Sequence, residues 1–136
     1  MATYNKFQCF VEDICEKKHN LASDTLKVAF SDASNAPSAS ADVKLADITT
    51  IATTNLDSVT LTVSSSSQTS GTYKLVVADL TMTASGAVGP FRYVIIYNDT
   101  ATDDPLIAWY DYSEEVTLHE NDTFKLDFGT ELFSLA

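Results

Sequence analysis

Apolar positions recur along this chain first at spacings of three and four, and afterwards at a spacing of two. Between Asn5 and Lys18, Phe7, Phe10, Val11, Ile14 and Cys15 fall at i, i+3, i+4, i+7 and i+8, which is one stripe of a helix. Thr3 or Asn5 is placed to cap its start, and Lys17, Lys18 and His19 sit at the end where the helix dipole favours cations. Glu12, Asp13 and Glu16 lie off the stripe. A stripe this apolar must rest on something.

After Asn20 the period changes. Leu26, Val28 and Phe30 alternate with Lys27, Ala29 and Ser31, predicting a half-buried strand. Residues 32–42 lack periodicity and aromatics and read as a mobile surface loop, followed by one or two short helical turns carrying Leu45, Ile48 and Ile51. Val59, Leu61 and Val63 make a second alternating set. The low-complexity run from Ser64 to Gly71 reads as a polar edge strand or a hairpin connection. Tyr73, Leu75 and Val77 form one set and Leu80, Met82 and Ala84 another, offset by one, so a β-bulge is expected at Ala78–Asp79.

Residues 91–97, Phe-Arg-Tyr-Val-Ile-Ile-Tyr, are apolar at nearly every position, which suits a central strand covered on both faces. Leu106 to Tyr112 pairs with it as a hairpin across the turn-rich segment 98–105. Val116 to Leu118 and Phe124 to Phe128 flank Glu120-Asn121-Asp122, a second hairpin signal. The sum is a mainly β, single-domain antiparallel β-sandwich of seven or eight strands with one N-terminal helix. Residues 1–19 form its arm and helix, and residues 20–136 the sandwich. Val, Ile and Thr number 33 of 136, an enrichment that favours pleated sheet over helix. No repeat at a solenoid or propeller period is present.

Charge narrows the function classes. Eight basic against nineteen acidic residues give a net charge of −11, and Arg92 is the only arginine, so the surface repels phosphate backbones and no nucleic-acid partner is expected. No apolar run approaches the roughly 20 residues that span a bilayer, and Met1 is followed by polar residues, so a soluble chain made in the cytoplasm, without a membrane partner, is expected.

Candidate chemistry is sparse. Cys9 and Cys15 stand six apart in one helix, about 9 Å of rise, too far to bridge. Cys15 and His19 share a helical face, but no second ligand pair completes a zinc site. His19 and His119 are the only imidazoles, no nucleophile elbow accompanies them, and glycines 71, 86, 89 and 129 form no phosphate-binding loop. The expectation is a protein that is not an enzyme and needs no cofactor. Asn98, Asp99, Asp103 and Asp104 offer oxygen ligands for a cation, although turns are rich in these residues for backbone reasons alone. Phe91, Tyr93, Tyr97, Trp109, Tyr110 and Tyr112 would suit either a sugar-stacking surface or core and cross-strand pairs.

Three stretches carry a resemblance. The first is Tyr4-Asn5-Lys6-Phe7, Phe10-Val11-Glu12-Asp13, His19-Asn20-Leu21 and Ser23 through Ala29; the second is Ser67 through Leu75. The third is Gly89-Pro90-Phe91-Arg92-Tyr93, Tyr97-Asn98-Asp99-Thr100, Pro105-Leu106-Ile107 and Trp109-Tyr110-Asp111-Tyr112. Together they resemble a family of small virion structural proteins of tailed bacteriophages, of the head decoration (cement) type. The resemblance implies a capsid-surface location, the major capsid protein as partner, and self-association as dimers or trimers, with no catalytic residue to carry over. A tail, collar or fibre role and a carbohydrate-binding module stand as alternatives. The apolar stripe Phe7, Phe10, Val11 and Ile14 is the candidate interface, by which the terminal helix would dock on the capsid protein or a neighbouring copy. The competing reading is that the helix covers its own sheet.

Overall fold

The apolar run at 91–97 becomes the centre of the molecule in the computed structural model, which describes residues 2–136. Strand β6 (Val88–Asn98) pairs antiparallel with β7 (Leu106–Leu118), with Val94 opposite Tyr110 and Ile96 opposite Ala108. On either side lie β1 (Thr3–Lys6) and β2 (Leu26–Ser31), giving a four-stranded sheet of order β1-β7-β6-β2. A second sheet is built from β3 (Val63–Thr69), β4 (Thr72–Val77) and β9 (Phe133–Leu135), in the order β3-β4-β9. A two-stranded ribbon joins β5 (Leu80–Thr83) to β8 (Thr123–Leu126). All of these pairings are antiparallel, and the fold is a mainly β sandwich with one helix, α1 (Cys9–Cys15).

The inner core lies between the large sheet and the smaller ones. Leu26, Val28 and Phe30 of β2 meet Leu75 and Val77 of β4, Met82 of β5 and Leu126 of β8. Phe30, Phe91 and Phe124 pack ring on ring, with centroids 4.8 and 5.2 Å apart along the series. A register irregularity between Phe91 and Tyr93 flips the facing of β6, so Phe91 and Val94 both point inward while Tyr93 points out.

The outer face of the large sheet is not left to water. Phe7, Tyr93, Ile95, Tyr97, Leu106 and Trp109 form a second core, roofed by Ala39, Leu45 and Ile48. The roof joins Ala39, from the segment read as a mobile loop, to Leu45 and Ile48, from the segment read as short helical turns. It is tied down by Gln8 N–H to the Ala39 carbonyl (2.9 Å), Leu45 N–H to Asp104 (3.0 Å) and Leu106 N–H to Val43 (3.2 Å). Asp42 accepts the Ser38 amide at 2.7 Å and Asp47 those of Val43 and Lys44, closing the turns around a 3-10 turn at Leu45–Asp47. With both faces covered, β2 is buried throughout except Lys27, where a half-buried strand was expected. Its outer edge is closed by Val59, Leu61 and Ile51 through backbone hydrogen bonds of 2.8–2.9 Å, so residues 59–61 make a bridge beside β2 and the strand expected there begins at Val63.

Three further expectations are corrected. The helix predicted over Asn5–Lys18 is one short helix, because Thr3–Lys6 instead pair with β7, Thr3 opposite Asp111 and Lys6 opposite Ala108. The change from strand to helix at Phe7–Gln8 sends Phe7 to the outer core and Phe10 to the inner one. Ala78–Asp79 is no bulge; there the chain leaves one sheet for another, and Asp79 accepts the Phe128 amide at 3.0 Å. Residues 116–118 continue β7 and pair with β6, while β8 pairs with β5, so the second predicted hairpin does not form. Strand β9 was not anticipated. The serine run is an edge strand as expected, turning into β4 through Ser70 and Gly71, both with left-handed φ.

Candidate docking surface

Several of the groups singled out for chemistry have structural partners. Asn98 is fully buried; its side-chain oxygen accepts the amides of Thr100 (2.9 Å) and Ala101 (3.1 Å), which shapes the acidic turn. Its side-chain nitrogen donates to Asp24 Oδ2 (2.7 Å) and to His19 Nδ1 (3.0 Å). Asp99 pairs with Lys27 at 3.0 Å, and Asp103 and Asp104 take up left-handed turn conformations. Burial, then Asp99 and Asp103, raises the Asp104 carboxyl. Among the described residues, no three His, Cys, Asp or Glu side chains gather in a cation-binding arrangement.

His19 accepts at Nδ1, so its proton resides on Nε2, which is buried without a hydrogen-bond partner near the Phe10 ring. Burial pushes this imidazole below its ordinary value. The His119 amide donates to Asp122 in a turn. Both cysteines are free thiols; burial and Asp13 raise that of Cys9. Of the aromatic set, Phe91, Tyr93, Tyr97 and Trp109 are buried. Tyr110 and Tyr112 pack on Phe128 and Phe124, and burial pushes the Tyr112 hydroxyl up to about 12. These rings make core and cross-strand pairs and offer no flat platform.

The four candidate interface residues part company. Phe7 and Phe10 are 0% and 2% exposed, sealed in the two cores, whereas Val11 is 50% exposed and Ile14 is half-buried. Val11 and Ile14 line a groove of about 440 Å³ with Tyr4, Lys6, Phe133 and Leu135. It runs between β1, α1 and β9, where the two sheets end side by side. A second hollow of about 430 Å³ continues past Phe133 and Leu135 towards Leu21, Tyr73 and Lys17. Tyr4 stacks edge-on against Tyr110, and burial of its hydroxyl pushes it up to about 12. A further hollow, of about 940 Å³, is lined by charges of both signs, Lys17, Lys18 and Lys44 with Glu12, Asp13 and Asp103.

Among the described residues four large hydrophobic ones are exposed, and three of them, Tyr4, Val11 and Leu135, are on the one groove. Sequence reading found Val11 and Ile14 and missed Tyr4, Phe133 and Leu135; the alternation Phe133, Ser134, Leu135 was the local signal for the last two. Among the described residues four ion pairs join Lys18 to Asp13, Lys27 to Asp99, Arg92 to Asp111 and Lys125 to Asp79. Lys6 and Lys17, on the groove and its extension, take part in none of them. Comparison of the chain with protein-family models, with curated proteins and with solved structures gives no match.

Proposed function

We propose that this chain is a virion structural protein of a tailed bacteriophage. In this reading it is a head decoration protein that binds the major capsid protein, assembles with copies of itself and stabilises the capsid surface, after synthesis in the host cytoplasm. The resemblance of the stretches at 4–29, 67–75 and 89–112 motivates the family. The observation that carries a binding role is the gathering of Tyr4, Val11 and Leu135 on one groove, since apolar side chains exposed together mark an association surface more than scattered ones do. A net charge of −11 keeps free copies apart and soluble before assembly.

Quantitative mass spectrometry of purified particles tests this. Decoration requires an abundance comparable to that of the major capsid protein. A few copies per particle would put the chain in the tail, collar or fibre, and its absence from particles would overturn the virion reading altogether.

A further inference from the structure

We propose that His19 is an acid-released latch: on protonation its ring leaves the place between Asn98 and Phe10, and Phe10 is uncovered. The polarity of the hydrogen bonds dictates this. Asn98 is fully buried and its amide has one possible orientation, because Oδ1 accepts the amides of Thr100 (2.9 Å) and Ala101 (3.1 Å). Nδ2 then has two hydrogens, one donated to Asp24 Oδ2 (2.7 Å) and the other to His19 Nδ1 (3.0 Å). Only a neutral imidazole with its proton on Nε2 satisfies that arrangement.

An imidazolium has two N–H donors, and neither finds an acceptor here. A proton on Nδ1 would face the Asn98 Nδ2 donor, and Nε2 is already buried without a partner near the Phe10 ring, whose centroid is 5.2 Å away in an edge-on arrangement. Turning Asn98 over would break its bonds to Thr100, Ala101 and Asp24, whereas withdrawing His19 breaks one. The ring is therefore the part that moves. It already lines the hollow of Lys17, Leu21, Tyr73 and Phe133, which leads it towards water.

The surrounding charges do not hold the cation in place. Burial opposes it first and Lys18 adds to that, while Asp13 of α1 and Asp24 favour it. Both carboxylates are engaged, however, Asp13 by Lys18 at 2.9 Å, and Asp24 by Asn98 and by the Asn20 amide at 2.8 Å. Lys17 shares the hollow, the Tyr73 hydroxyl is bound to Ser66, and Asp99 beside Asn98 is paired with Lys27. From β9, Phe133 and Leu135 bring no charge. With the ring gone, Phe10, now 2% exposed and packed edge-on against Phe133, opens to the same hollow.

Proton NMR of the full chain carrying His119→Gln, which removes the only other imidazole, follows the latch from pH 7 to pH 5. The ring contact between His19 and Phe10 is expected to be lost. The open population should rise up to about tenfold per pH unit below the ordinary imidazole value of 6.5, since opening takes up one proton. The Thr100 and Ala101 amides should stay protected from exchange, because Asn98 does not turn. Asp104→Asn, at a carboxyl of the adjoining turn that burial raises, should leave the transition in place. Exchanging the pair, Asp24→Asn with Asn98→Asp, presents Nδ1 with an acceptor at the loss of the Asn20 amide bond, so the protonated ring should stay on Phe10. If circular dichroism shows that the exchange disturbs the fold, the titration and Asp104→Asn decide. A His19–Phe10 contact intact at pH 5, simultaneous opening of Thr100 and Ala101, a transition abolished by Asp104→Asn, or a well-folded exchange variant that still opens overturns the proposal.

Discussion

Phe7→Ala is expected to cost the fold about 3–5 kcal/mol, the range for emptying a buried phenylalanine site. Phe7 is 0% exposed, and its ring lies 4.6 Å from that of Trp109 at an angle of 48°. Withdrawing the ring from its apolar surroundings forfeits about 1.5–3 kcal/mol, and losing the aromatic pair about 0.5–1.5 kcal/mol more. The cavity left between β6, β7 and the segment 39–48 supplies the remainder, because the hydrogen bonds at Ala39, Val43 and Leu45 fix that roof in place and limit its collapse into the space. Val11→Ala removes a half-exposed side chain and is expected to stay within about 0.5 kcal/mol of the parent. The two positions share one stripe of the helical pattern, and a continuous helix from Asn5 would make their costs alike. Urea unfolding of both variants, fitted with a common slope, gives the comparison. In thermal melts, at about 3–5 °C per kcal/mol for a chain of this size, Phe7→Ala should lose about 10 °C or more. A loss below about 1 kcal/mol at Phe7, or equal losses at the two sites, would refute the second core beneath the 32–48 segment.

Two further outcomes follow from local geometry. His19 is pushed below its ordinary value of 6.5 by burial, against the opposing pull of Asp13 and Asp24 and with Lys18 adding to the depression. The unfolded chain therefore binds this proton first as pH falls, so the stability His19 contributes is complete above pH 6.5 and declines as pH drops below it. Urea midpoints of the parent minus those of His19→Gln, measured from pH 7 to pH 5, should fall with pH; a flat difference would refute a proton affinity lowered by burial. Gly89→Ala is expected to destabilise by more than about 2 kcal/mol, since φ is +112° and an added Cβ would stand 2.7 Å from the Val116 carbonyl oxygen. Gly71→Ala, at φ +85° with nothing within 4 Å, meets only the backbone cost of about 1 kcal/mol, and equal losses in thermal melts would show that β6 and β7 do not approach so closely at Gly89.

The elements legible in the sequence are those whose apolar period coincides with burial. β6, β7 and the inward positions of β2 announce themselves because every apolar residue there meets a core. The N-terminus misleads because Phe7 and Phe10 satisfy a helical spacing while belonging to a strand-to-helix turn, and the pairing that decides it involves Asp111, Tyr110 and Trp109, far along the chain. Residues 32–42 carry no period and Leu45, Ile48 and Ile51 only a short helical one, since the segment covers the outer core with Ala39, Leu45 and Ile48 alone and holds itself by backbone hydrogen bonds. At Ala78–Asp79 a shift of phase has two causes, an inserted residue or a change of sheet, and alternation alone does not separate them. The groove was half visible: Val11 and Ile14 were named, but Phe133 and Leu135 belong to a three-residue strand below the length at which alternation can be read.

That last point changes where a partner would meet this protein. The amphipathic stripe at the N-terminus suggested a helix with an apolar face to spare, yet its two phenylalanines are consumed by the chain's own cores. Both faces of the large sheet are covered, and the outer edge of β2 is closed by residues 51 and 59–61. The edge of β3 is open but consists of serines, so a strand added there would gain hydrogen bonds and bury little apolar surface. At β1 and β9 the two gains coincide, because unpaired backbone and exposed apolar side chains border the same groove. Association at that seam would cover Tyr4, Val11 and Leu135 together. The binding potential of the chain thus resides in the open margin of its sandwich, to which α1 contributes one wall.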